Sequence, residues 1–255
     1  MKHMRTYLVF ILSYIGITLS AQNAFDSEGR RTGSWKGYWE DSTLRYEVTF
    51  HEGRPVGTEK RYDTYGNLTA EMHYYGISNR CMTKIFSPSG QVQAKGVYED
   101  RIKDSTWHMY AQDGTIRVIE NYKRGLLHGT TTTFHLNGNI SSTKDYSDSI
   151  FHGKWMKYYP NGDTMLVAGY QNGKMHGRYL AYYPDQVKQI SGRYSNDVKD
   201  GEWVYFSNEG DTISVLEYEN GMMLNPEEYE NLMDSLLKSI DSIIKYTPPS
   251  SEPEF

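Results

Sequence analysis

Three His-Gly pairs, His128-Gly129, His152-Gly153 and His176-Gly177, recur every 24 residues, and imidazoles in register invite a metal site. Geometry opposes it. If each repeat is a pair of strands, equivalent positions lie about 9–10 Å apart. Each nitrogen ligand must come within about 2.0–2.1 Å of a single zinc ion. One ion cannot bridge consecutive rungs, so these histidines are expected at turns, with no metal and no cofactor. Glu120 and Lys144 are also 24 residues apart and invite an acid–base reading; a partly solvated charge contact is the simpler expectation. Cys81 is the single cysteine. It allows neither an intramolecular disulfide nor a cysteine zinc cluster, and its expected role is a small apolar filler. Phosphate loops, G-x-S-x-G elbows, H-E-x-x-H pairs and calcium-loop patterns are missing from the sequence. No catalytic residue is assigned, and a non-enzymatic chain is expected.

Aromatic residues offer the other chemistry. Trp35, Trp107, Trp155, Tyr179 and Trp203 occupy one repeated position, with Trp39, Tyr159, Tyr183 and Tyr205 close by. As an exposed strip they would suit contact with a protein or a glycan. The alternative is that a curled sheet covers them. Formal net charge is −5. An acidic chain is a poor general binder of phosphate backbones, so nucleic acid is not an expected partner.

These residues are positioned by a repeat. Windows of 24 residues run 33–56, 57–80, 81–104, 105–128, 129–152, 153–176, 177–200 and 201–224 without insertion or deletion. The sixth place is always aromatic: Tyr38, Tyr62, Phe86, Tyr110, Phe134, Tyr158, Tyr182 and Phe206. So is the eighteenth: Phe50, Tyr74, Tyr98, Tyr122, Tyr146, Tyr170, Tyr194 and Tyr218. The tenth place is glycine except at Ser42 and Gln186. Leu44, Tyr46, Val48 and Phe50 alternate with Arg45, Glu47 and Thr49, the period of a strand with one covered face. Pro160-Asn161-Gly162 and Asn172-Gly173 mark turns on either side of such strands. The connections are too short for helical crossovers, so neighbouring strands must be antiparallel. The expected fold is an all-β repeat: an elongated, curled antiparallel meander of about 16 short strands in eight hairpins. The sixth- and eighteenth-place aromatics are expected to stack as ladders on one face, with the third place on the other.

The pattern resembles the bacterial MORN-variant repeat found in proteins grouped as YwqK-type antitoxins. The residues that carry the likeness run Gly153-Lys154-Trp155-Met156-Lys157-Tyr158-Tyr159-Pro160-Asn161-Gly162, then Gly169-Tyr170-Gln171-Asn172-Gly173-Lys174. It extends over 33–224. The resemblance implies a β-hairpin array used for interaction or scaffolding, and the antitoxin label implies a neutralised toxin. Windows 81–104 and 129–152 lack the Trp and part of the glycine set, and local looseness is expected there.

Lys2, His3 and Arg5 precede an apolar run from Tyr7 to Leu19 that exits through Ser20 and Ala21. That is the layout of a secretory signal peptide over 1–21, cleaved after Ala21. Its run is short of a membrane span, so no integral membrane segment is expected after cleavage, and the product would be periplasmic, outer-surface or secreted. Residues 22–32 form a polar leader. Asn225 and Pro226 start a C-terminal amphipathic helix over 225–246, with Tyr229, Leu232, Met233, Leu236, Leu237, Ile240, Ile243 and Ile244 at helical spacing. It is expected to cap the last hairpins. Residues 247–255 are Pro/Ser-rich and expected to be disordered. The functional expectation is an exported scaffold for an unidentified protein partner. The alternatives are a cell-envelope glycan-binding module and an antitoxin or immunity protein. N-terminal sequencing of the exported protein should begin at Gln22; a mature chain starting at Met1 would refute the leader.

Overall fold

The computed structural model describes residues 22–246; the signal peptide expected over 1–21 and the disordered tail expected over 247–255 lie outside the described residues. Twenty strand segments form one open antiparallel sheet, followed by a single helix, Pro226–Tyr246. Sixteen long strands correspond to the eight windows. Two of them are broken, giving Leu126–Leu127 with Gly129–Phe134, and Val198–Lys199 with Gly201–Phe206. Two short strands, Ala24–Phe25 and Met222–Met223, extend the ends.

Every window closes in one register. Its first place pairs with its eighteenth, from Gly33 with Phe50 to Gly201 with Tyr218. Its third pairs with its sixteenth, as Trp35 with Val48 and Trp203 with Leu216. The hairpin tips are equally uniform: the seventh-place N–H donates to the eleventh-place carbonyl in all eight windows, as Trp39 to Thr43 and Ser207 to Asp211. The tip requires positive φ at the tenth place. Ser42 and Gln186, the two non-glycines there, adopt it as well, both at 68°.

Between windows the chain turns back through two residues with positive φ, such as Asn172 (53°) and Gly173 (81°), the conformation that matches strand twist. The next strand then absorbs extra residues in a bulge, and the first-place residue sits at positive φ; Gly57 (68°) and Gly177 (86°) are examples. This explains why Cys81 can replace glycine. The connection into its window has no bulge: Tyr74 pairs directly with Cys81, and the extra length goes into a longer loop. Pairing is continuous through 81–104 and 129–152.

One expectation fails. Between the fifth and sixth places the register slips, and the second strand carries one extra residue: Gly37 pairs with Tyr46, but Tyr38 pairs with Leu44. A slip of one residue flips faces. The eighteenth-place aromatics therefore share the third-place face, and the sixth-place aromatics lie on the other. The contacts agree. Trp35 meets Phe50 at 5.8 Å, Trp107 meets Tyr98 at 4.9 Å and Trp203 meets Tyr194 at 4.9 Å. Tyr62 instead donates its hydroxyl to Glu47, 2.9 Å away.

Two indoles on this inner face, Trp107 and Trp203, lie across the preceding strand over a residue without a side chain. A Cβ on Gly96 would collide with the Trp107 ring, and one on Gly192 would collide with the Trp203 ring. The indole N–H then reaches a carbonyl beyond: Trp107 to Val97 at 3.0 Å, Trp203 to Arg193 at 3.1 Å. A cation four residues upstream covers the ring, Arg31 over Trp35 at 4.7 Å, Lys103 over Trp107 at 4.7 Å and Lys199 over Trp203 at 4.4 Å. Each such contact contributes about 0.5–2 kcal/mol.

Both ends of the sheet are closed. Ala24–Phe25 pairs with Arg31 and Thr32, so the leader adds a strand to the first window. Beyond it the Asn23 side chain accepts from Lys36 N–H (2.8 Å) and donates to its carbonyl (3.0 Å). At the other end the Asn225 amide accepts from Glu217 N–H and donates to the Val215 carbonyl, each at 2.8 Å. Asn225 does precede the helix, but its side chain serves the sheet edge rather than the helix start. The helix docks through Leu232, buried with Trp203, Leu216 and Tyr218, while Tyr229, Met233 and Leu237 are exposed.

Paired substitutions test these constraints by chemical denaturation. Gly192→Ala should lose roughly 1–3 kcal/mol by overpacking against Trp203. Ser42→Gly should gain about 0.5–1 kcal/mol by relieving positive φ at a position with no side-chain bond to lose.

Candidate functional site

Register lays one row of side chains across the inner face at the third and sixteenth places. Where the third place is Trp or Tyr, the row is filled by rings packed largely edge to face against eighteenth-place aromatics. In the second and third windows it is Glu59 and Thr83. Those two substitutions leave an open trough of about 1190 Å³ between Trp35 and Trp107. Met72, Tyr74, Cys81 and Thr83 are among the residues on its floor, and Arg31, Arg45, Arg61 and Arg101 line it against Glu59 and Asp100.

Glu59 is the unusual group, a carboxylate only 7% exposed. It is held at both oxygens: Arg61 Nε donates to Oε1 and the Tyr74 hydroxyl donates to Oε2, each at 2.7 Å. Such charge-assisted bonds are what make a buried carboxylate tolerable. The neighbours respond. Burial, and then the Glu59 carboxylate, push the Tyr74 phenol far above its ordinary value. Burial likewise raises the Cys81 thiol, whose Sγ lies 3.6 Å from Thr83 Oγ1. Cys81 is only 3% exposed, a packed small group on this face. Tyr122 repeats the phenol–carboxylate arrangement two windows on, raised by burial and by Glu120, to which its hydroxyl donates at 2.6 Å.

The other sequence candidates fall into place around this face. Trp35, Trp107 and Trp203 are buried, and Trp155 and Tyr179 are half-buried, so the five are packing groups and do not form an exposed strip. The physical reason is the bulge, which brings the eighteenth-place rings onto the same side. Trp39, Tyr159 and Tyr183 are clips at the hairpin tips: each side chain donates to a sixth-place carbonyl of the next window, at 3.2, 2.8 and 3.0 Å. His135 Nε2 does the same to Tyr158 at 2.9 Å. Glu120 and Lys144 do not pair; Lys144 Nζ lies over the Phe151 and Trp155 rings. His128 faces Asp148 at 3.4 Å, and among the described residues no group of three metal-ligating side chains converges. No helix among them is long and apolar enough to cross a membrane. The arginine-lined trough was not singled out from the sequence. Its signal was there, in the loss of Trp from two consecutive windows.

A family model described as MORN repeat variant matches residues 31–52 and 127–148. Each match covers one hairpin in the same frame, from two residues before the first place to the first turn residue. Two hairpins are thus similar to the MORN-variant repeat, and the pairing register they share recurs in every window from 33 to 224. Repeats of this class serve in protein or membrane interaction and are in general non-catalytic. No curated protein matches the chain.

The raised phenols carry a pH prediction. Folding favours the protonated form of Tyr74 and Tyr122, so their contribution is complete below the ordinary tyrosine value of 10.0 and is lost as pH rises above it. Tyrosinate absorbance and far-UV circular dichroism should show a late fraction of the tyrosines ionising together with loss of the sheet. Complete ionisation near pH 10 with the sheet intact would contradict the assignment.

Proposed function

We propose that this chain is an exported, non-enzymatic MORN-like repeat scaffold whose trough holds an extended, acidic segment of a protein partner. The observation that carries the reading is the arginine-lined opening in an otherwise acidic molecule. Arg31, Arg45, Arg61 and Arg101 surround two acids there, while the whole chain carries −5. A local positive field of this kind steers and selects an anionic partner. The packed rings on either side, Trp35 with Phe50 and Trp107 with Tyr98, provide rigid walls, which lowers the ordering cost of binding.

Export is proposed from the basic start and short apolar run of residues 1–21, with the periplasm, outer surface or medium as destination. An antitoxin or immunity role would be a special case in which the partner is a toxin. The glycan-binding alternative relies on open indole faces, and Trp35, Trp107 and Trp203 are buried. The protein-partner reading is therefore preferred.

Affinity capture from the native envelope fraction tests it, using wild type beside Arg45→Glu/Arg101→Glu. Recovery of a specific protein should fall at least tenfold in the double variant, and wild-type capture should weaken as salt is raised. Equal recovery by both proteins, or retention of polysaccharide instead of protein, would move the function away from the trough.

A further inference from the structure

The repeat contains its own controls. Four windows carry Trp at the third place, and three of those indoles are satisfied: Trp35 by the Ala24 and Thr32 carbonyls, Trp107 by Val97 and Trp203 by Arg193. The fourth is different. Trp155 Nε1 is buried and has no partner. The residue beneath it explains this. Trp107 lies over Gly96 and Trp203 over Gly192, but the place before Trp155 is Lys144, its direct register partner. With a long side chain there the ring cannot lie across the strand, and its N–H does not reach the Asp145 carbonyl that corresponds to those of Val97 and Arg193.

Lys144 also pairs in register with Thr131, on its other side. Thr131 Oγ1 is the second buried polar atom without a partner. The row thus reads Thr131, Lys144, Trp155 on three adjacent strands, with side chains on one face. Lys144 Nζ sits 5.2 Å from the Phe151 ring centroid and 5.3 Å from that of Trp155, and no ion pair engages it among the described residues. Buried donors left unmade are rare in folded proteins and call for an explanation.

We propose that Lys144, Thr131 and Trp155 form a carboxylate-binding position. Each offers a proton: an ammonium, a hydroxyl and an indole N–H. A carboxylate has two oxygens, enough to take the ammonium and a neutral donor together. The Phe151 and Trp155 rings supply an apolar wall beside it. Glu120 is the acid on the far side of Thr131 in the same row, and its Oε2 already accepts from the Tyr122 hydroxyl. Its charge favours a monoanion over a doubly charged one. The position stands apart from the arginine-lined trough and does not depend on it.

The test is a nitrogen–proton correlation spectrum of the labelled full chain, in which each indole N–H gives one peak and Trp155→Phe identifies its own. Sodium acetate is titrated at ionic strength held constant with sodium fluoride. The Trp155 peak should move saturably, while the Trp107 and Trp203 peaks, already bonded to carbonyls, should move less than a tenth as far. Sodium sulfate should act at least tenfold more weakly. Lys144→Met keeps the stem without the charge and should weaken the acetate response at least tenfold. Lys144→Gly should abolish it and bring Trp155 N–H exchange down to the rate of Trp107 and Trp203. A Trp155 peak that stays still, or moves no more than the others, overturns the proposal in the wild-type protein alone, whether or not the variants fold. An undiminished response in folded Lys144→Met overturns it as well.

Discussion

An indole lying flat over a glycine of the preceding rung is the contact on which this structure turns. It demands a residue without a side chain beneath the ring, because Trp107 leaves no room for a Cβ on Gly96 and Trp203 leaves none on Gly192. It also satisfies the indole N–H with a backbone carbonyl and offers the ring's outer face to a cation. One side chain thus joins packing, hydrogen bonding and charge. A thin sheet has no deep interior to hide polar atoms in, and this contact meets the need with aromatic groups whose polar ends are bonded.

The same contact explains where chemistry can occur. A repeat spreads its residues evenly, so function enters where the pattern is interrupted. Replacing the ring by Glu59 and Thr83 opens a trough; replacing the small residue by Lys144 lifts an indole and strands its donor. These departures, two residues in the first case and one in the second, sit within a register that does not change around them. The frame can tolerate them because its pairing is set by backbone turns and bulges, with the inner-face side chains free to differ.

Much of the fold was legible because the turns are written in residues with one physical meaning. Glycine at the tenth place, Asn-Gly at the return turn and strict alternation between them give eight hairpins without further assumption. Which face each aromatic occupies was not legible. The side-chain period is two, and one extra residue in the second strand inverts every inference drawn across it. That is why the eighteenth-place tyrosines were expected beside Tyr38 and are found beside Trp35. The trough was hidden for a related reason: Glu59 looks like an ordinary surface charge until the bulge is known to bring the eighteenth-place Tyr74 onto its face. Asn225 was expected to serve the helix it precedes, because sequence distance says nothing of a strand edge waiting ten residues earlier.

Asn23 and Asn225 have a consequence for the edges of the sheet. An antiparallel sheet is in principle an open polymer, each strand a template for another. Here the Lys36 peptide at one edge, and the Glu217 N–H and Val215 carbonyl at the other, are matched by primary amides, which present the same donor and acceptor as a peptide bond but carry no chain onward. At these two points the sheet edge is met by a side chain instead of another strand, so pairing there is interrupted without a further length of backbone.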